Sequence, residues 1–240
     1  MNKQFRKDEI KAQATTTKTE KQTLMTTAAA LMAKPPATIQ IKPPKFQKAK
    51  IRIRGDVPML SNAMSSEARA KMKASQEEGT RARKMKRSRD PKDFHAQFRG
   101  SLHISREGWY GLPCSSFRNA MIDACRTVDF AMTRAKYFIF VEADGYDAND
   151  GTPLVKINGE PVPDERIGKL ASGASDILVR GRFDEWWADV TIKWDADSLS
   201  ANDIVNLLAR AGVHCGVGAG RPNSKNSAGI GMGTFMVEGL

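Results

Sequence analysis

Trp186-Trp187-Ala188-Asp189-Val190-Thr191-Ile192-Lys193-Trp194 alternates apolar and polar side chains, and Ser200-Ala201-Asn202-Asp203 follows closely. Such alternation marks a strand with one wet face. Trp186, Ala188, Val190, Ile192 and Trp194 are expected to face a core, and Trp187, Asp189, Thr191 and Lys193 to face away. Ser200 and Asp203 have the spacing of a capping box that opens a helix. Its buried stripe would be Ile204, Leu207, Leu208 and Ala211, with Gly212 as its stop.

Downstream, Gly212 to Gly233 holds seven glycines in 22 residues, with Arg221, Lys225, Asn226 and Ser227 set among them. Glycine reaches positive φ and admits a second backbone, so the run suits a ligand-contacting loop, and the cations suit an anionic ligand. A plain flexible connector is the alternative. Nucleotide fingerprints fail here. Gly216, Gly218 and Gly220 follow a helix without GxGxxG spacing, and no Gly-Lys-Ser/Thr triplet occurs at the right interval. Gly233-Thr234-Phe235-Met236-Val237 reads as a last strand.

Upstream, Lys48-Ala49-Lys50-Ile51-Arg52-Ile53-Arg54 alternates apolar with basic, so Ala49, Ile51 and Ile53 face a core and a positive row lies opposite. Phe98 to Ser105 reads as a short strand. Ser115 or Ser116 is expected to cap a helix with Phe117, Ala120, Met121, Ala124 and Val128 buried. Lys136 to Glu142, apolar on both faces, reads as a central strand. A hairpin is expected around Asn158-Gly159, a turn at Ser172 to Asp176, and an extended segment with Arg180 and Arg182 on one side. The order is that of an α+β chain: a ferredoxin-like (RRM-like) βαββαβ domain over 48–240 with long insertions at 59–99 and 144–185. An extended N-terminal arm, 1–47, carries Pro35-Pro36 and Pro43-Pro44.

Charge is unevenly placed. The net value is +11, yet residues 1–50 carry +8, residues 67–99 carry +6, and residues 100–240 carry −4. The densest run is Arg81-Ala82-Arg83-Lys84-Met85-Lys86-Arg87-Ser88-Arg89, without an acid. Cation arrays of this kind release counterions from a phosphate backbone, which makes nucleic acid the expected partner. Neither basic segment has the apolar face that membrane binding needs, and no run is long enough to span a bilayer. Cys114, Cys125 and Cys215 are odd in number and lack metal spacing, as expected of reduced thiols in a cytoplasmic protein, one of a prokaryotic cell or virus-encoded within it. His95, His103 and His214 share no metal spacing, and Asp144 to Gly151 reads as Asx-turn chemistry rather than a calcium loop. No cofactor or metal is expected.

Three patches together resemble the RAMP superfamily, the ferredoxin-like proteins that build CRISPR effector complexes. Tyr110-Gly111-Leu112-Pro113-Cys114-Ser115-Ser116-Phe117-Arg118-Asn119-Ala120 is similar to the family's helix start, (I/L)-P-G-S-S-L-(K/R)-(G/N). Arg89-Asp90-Pro91 resembles the R-D-P of its backbone subunits, and Gly216 to Gly233 occupies the position of its glycine-rich loop. Cys114 and Phe117 depart from the family's Gly and Leu. The resemblance implies a palm-like core with 59–99 and 144–185 as fingers and thumb, and subunits stacked head to tail along single-stranded RNA. Arg81 to Ser88 lacks the carboxylate that target-cutting subunits carry before R-D-P, so binding is carried over and cleavage is not.

The sequence therefore leads to a sequence-tolerant single-stranded RNA- or DNA-binding protein, RNA favoured, that forms a homo-oligomer or filament via its N-terminal arm and is not an enzyme. Other effector-complex subunits are conceivable partners. Phosphates are assigned to Arg52, Arg54, Arg81, Arg83, Lys84, Lys86 and Arg87, to Ser115, Ser116 and Arg118 at a helix start, to Arg180 and Arg182, and to Arg221, Lys225 and Asn226. The alternatives are a stand-alone single-stranded DNA-binding or annealing protein, a metal-independent endoribonuclease using His103 or His214, and a self-assembling structural subunit.

Overall fold

The computed structural model describes residues 41–77, 91–169, 175–224 and 229–239. The chain divides between Pro43 and Pro44, and the architecture is that of Pro44–Leu240. Among the described residues it is mixed α+β. The strands are β1 (Phe46–Gly55), β2 (Met59–Leu60), β3 (His103–Ile104), β4 (Tyr110–Pro113), β5 (Ile139–Val141), β6 (Gly145–Tyr146), β7 (Pro153–Lys156), β8 (Pro161–Lys169), β9 (Ser175–Phe183), β10 (Trp187–Asp195) and β11 (Phe235–Val237). The helices are α1 (Ser66–Glu77), α2 (Phe94–Gly100), α3 (Cys114–Ala124), α4 (Met132–Phe138) and α5 (Ala201–Arg210).

One sheet has the order β11-β1-β10-β5, with every neighbouring pair antiparallel. Its spine is β1 on β10, paired from Phe46↔Asp195 to Arg54↔Trp187. Alternation decides which face is dry. Ile53, Ala188, Val190, Ile192, Trp194, Phe235 and Val237 are buried and form one core cluster with Phe117, Ala120, Met121 and Ala124 of α3 and Ile204, Leu207 and Leu208 of α5. Phe235 sits at the join, edge-on to Phe117 and to Trp186, each with ring centroids 6.2 Å apart. The capping box is formed in both directions between Ser200 and Asp203.

Two further sheets are present: β2-β9-β8, whose strands all come from the insertions, and β3-β4-β7-β6, in which β6 and β7 come from the second insertion and β3 and β4 from the segment between the two. The latter sheet curls until a Ser105↔Asp147 bridge joins its two edges. Asp147 and Asp150 accept from the backbone N–H two residues on, at Asn149 and Thr152, which is the expected Asx-turn chemistry. No described helix is long and apolar enough to cross a membrane.

Several local expectations are corrected. Phe98 to Gly100 is helical, because Asp93 caps α2 by accepting from Ala96 N–H, and the strand shrinks to His103–Ile104. The segment after α3 gives helix up to Phe138, and β5 is an edge strand rather than a central one. Val128 lies beyond α3 and is exposed. Asn158 pairs with Trp187 rather than turning a hairpin; the hairpin is β8–β9, whose tip lies outside the described residues. Gly212 does not stop α5, which runs on into a π-helical turn, Ala211–Cys215. A Cβ at Gly212 would collide with the Phe235 carbonyl, so this glycine serves the close packing of that turn on β11. The chain leaves the turn at Gly216, at φ 66°.

Candidate nucleic-acid interface

The face of the β11-β1-β10-β5 sheet opposite the helices has no described element packed over it. Cross-strand register brings onto it Phe46, Lys48, Lys50, Arg52 and Arg54 from β1, Trp187, Asp189, Thr191 and Lys193 from β10, Phe140 from β5 and Met236 from β11. Lys48, Lys50, Arg52 and Arg54 are exposed, as are Phe46, Phe140 and Met236, while Trp187 and Lys193 are half-buried. Side chains two residues apart on a strand lie on the order of 7 Å apart, so the four β1 cations form an evenly spaced row.

Rings are interleaved with those charges. The Arg52 guanidinium lies over the Trp187 ring at 4.4 Å, and Lys193 Nζ lies 4.5 Å from the Phe46 ring centroid. Phe46 and Phe140 meet edge to face at 6.0 Å. Carboxylates are present too: Arg52 donates twice to Asp189 at 2.7 and 3.0 Å, Lys48 reaches Glu142 at 3.3 Å, and Arg54 reaches Glu238 at 3.4 Å. The bond from Arg52 holds the Asp189 carboxyl below its ordinary range and raises the guanidinium's own affinity for its proton. Lys50 and Lys193 form no ion pair with any described residue. Exposed pairs of this type are screened by solvent and contribute little, so a phosphate can displace the carboxylate at little cost.

The remaining expected residues are dispersed. Ser115 and Ser116 lie inside α3, whose N-cap is Pro113 with no side-chain capping bond, so neither serine caps the helix. Arg118 is spent on the fold, donating to the Ile139 and Lys136 carbonyls and lying over Phe140 at 5.6 Å. Arg180 and Arg182 do share one face of β9, but Arg182 is held by Asp164 and Asp184, and Arg180 donates to Asn62. Arg221 folds back onto the Gly218 carbonyl. Arg81, Arg83, Lys84, Lys86, Arg87, Lys225 and Asn226 lie outside the described residues.

The glycine-rich loop is bound to the body. Val217 N–H donates to Gly233 O, Ala219 N–H to Leu60 O and Gly233 N–H to Pro58 O, and Asn223 donates to Asp123 at 2.6 Å. Asp123 stands in the last turn of α3, so these bonds tie the loop to that end of the helix and to β2, away from Ser115 and Ser116. At Gly233, φ is +72° and a Cβ would collide with the Val217 carbonyl, so backbone packing accounts for this glycine without a ligand.

His103 Nδ1 lies 2.8 Å from Asp147 Oδ2, with both side chains largely covered. His214 is exposed on the π-helical turn, and no described group of His, Cys, Asp and Glu could hold a metal ion. Trp187, Lys193, Phe46 and Phe140 were not singled out as binding residues from sequence. The outward register of Trp187 and Lys193 was readable, but their adjacency to Arg52 depends on pairing between strands more than 130 residues apart.

A scan against protein-family models and a search of curated proteins each return no match for this chain.

Proposed function

We propose that this chain is a sequence-tolerant single-stranded nucleic-acid-binding protein, RNA favoured, that carries its ligand on the open sheet face and oligomerises head to tail along the strand. The observation that carries the reading is that face: a cation row, Lys48 to Arg54, beside Trp187, Phe46 and Phe140. Cations neutralise phosphates without reading sequence, and exposed rings stack on any base, at about 1–3 kcal/mol per base. A duplex would present its phosphates but hide its bases from those rings, which favours a single strand.

We read the core as a ferredoxin-like βαββαβ unit. Supporting this, α3 lies in sequence between β1 and β5 and α5 between β10 and β11, while the sheet order β11-β1-β10-β5 interleaves the two halves. Kinship with the RAMP backbone subunits rests on the three sequence patches alone. Binding without catalysis is the role we assign.

The test is anisotropy titration of matched RNA and DNA oligonucleotides against wild type and the Lys50→Glu/Trp187→Ala variant. Loss of at least about tenfold in affinity for the single strand is expected. Unchanged affinity sinks the sheet face as the site, and tighter binding of DNA than RNA selects the single-stranded DNA-binding alternative.

A further inference from the structure

The β8–β9 hairpin runs past the body that supports it. Phe183, Gly181 and Val179 on one face of β9 are buried, and the same face continues to Ile177 and its cross-strand partner Ile167. These two are 44% and 80% exposed, although they extend a buried apolar row. Glu165, two residues before Ile167 on that face, is exposed and forms no hydrogen bond or ion pair among the described residues. An overhang of this kind is an apolar knob with an acidic flank.

A matching concavity lies elsewhere. Between α5, the π-helical turn and the segment after α3 runs an open groove of about 750 Å³, floored by Leu207 and walled by Val128, Phe130, Leu199 and Val213. Val128 and Val213 are 42% and 59% exposed. Arg210, also in the lining, forms no ion pair among the described residues.

We propose that the hairpin knob of one copy, Ile167 and Ile177, docks into the α5 groove of a second copy of this chain, with Glu165 opposite Arg210. The occupant is argued from complementarity within one sequence: an unpaired acid beside an uncovered apolar pair, and an unpaired cation beside an uncovered apolar groove. Knob and groove are different surfaces, so the contact is heterologous. Each copy keeps one free knob and one free groove, and assembly does not close by two-fold pairing. This deepens the head-to-tail part of the proposed function and rests on it, though the contact needs no nucleic acid.

The test is sedimentation velocity of the nuclease-treated full-length protein. Wild type is expected to form a concentration-dependent ladder of oligomers. Ile167→Glu/Ile177→Glu and Val213→Glu are each expected to be monomeric, and their equimolar mixture to stop at dimers, because only one intact knob meets one intact groove. All three positions are exposed, so native circular dichroism is expected to survive. Glu165→Arg and Arg210→Glu should each weaken assembly and their combination restore it, a readout that misfolding would not give. The inference is overturned if wild type is monomeric at high concentration, if the Val213 variant still associates through its hairpin, or if the mixture stays monomeric. Binding of a short single-stranded oligonucleotide to the monomeric knob variant, measured in parallel, separates the readings. A wild type that binds the oligonucleotide yet stays monomeric rejects the contact alone, whereas a wild type that assembles but binds no oligonucleotide, or a sheet-face variant of unchanged affinity, rejects the nucleic-acid reading.

Discussion

The Arg52 guanidinium lies over the Trp187 ring, 4.4 Å from its centroid, and is fixed there by two hydrogen bonds to Asp189 across the β1–β10 pair. Ring, cation and acid form one cluster, and Arg52 within it is exposed. A base can stack on the guanidinium, or a phosphate can take the place of Asp189.

That competition gives a prediction of sign. Asp189→Asn removes the internal rival and should strengthen single-strand binding several-fold, while steepening the log–log salt slope by up to about 0.7, the increment for one further phosphate contact. Arg52→Ala should weaken binding and flatten the slope by a similar amount. Because Arg52 holds the Asp189 carboxyl below its ordinary range, that acid stays ionised from pH 8 to 5, so the Asn variant should keep its advantage over that whole interval. Identical affinities for all three proteins would show that the cluster is not on the binding path.

The elements that follow from local pattern were legible in the sequence: β1 and β10 from alternation, α5 from its capping box, and the outward direction of Arg52 and Arg54. What escaped depended on contacts distant in the chain. Arg118 was read as a phosphate ligand because it stands near a helix start, yet the carbonyls it caps belong to α4 and β5. Gly233 was read as ligand-facing, yet the atom that forbids a side chain there is a carbonyl of its own loop. The ring and acid partners of Arg52 are invisible until β1 and β10 are paired.

Gly233 and Gly231 make a controlled comparison. Both have positive φ, but no heavy atom lies within 4 Å of a Cβ placed on Gly231, whereas one on Gly233 strikes the Val217 carbonyl. Gly231→Ala should therefore cost only the conformational penalty of about 1–2 kcal/mol. Gly233→Ala adds a backbone displacement and threatens the Val217–Gly233 hydrogen bond, so a loss of about 2–4 kcal/mol is expected in urea unfolding. Equal losses would mean that the loop yields without resistance.

Burial pushes the Cys114 and Cys215 thiols up to about 11, helped at Cys114 by Asp144 and at Cys215 by Asp123, and raises Cys125 as well. At pH 7.5 the native protein should therefore show no fast-reacting thiol towards a disulfide reagent, and three after unfolding. The folded state holds these protons more tightly than the unfolded chain, whose thiols ionise near 8.5. Their contribution to stability is complete below that value and declines as pH rises from there through about 11. A native thiol that reacted at the unfolded rate would contradict the packing of α3 against the π-helical turn.

Two indoles in the same core differ in one bond. Trp186 donates from Nε1 to the Val57 carbonyl at 3.0 Å, whereas the Nε1 of buried Trp194 has no partner among the described residues. Replacing either by Phe removes similar apolar surface. Trp186→Phe also strands a carbonyl, and Trp194→Phe instead relieves a buried donor that already carries its desolvation cost. An orphaned buried polar group costs about 1–3 kcal/mol, so the Trp194 variant should be more stable than the Trp186 variant by about that amount in chemical unfolding. The reverse order would mean that Trp194 finds a partner outside the described residues, and would point to an element covering that end of β10.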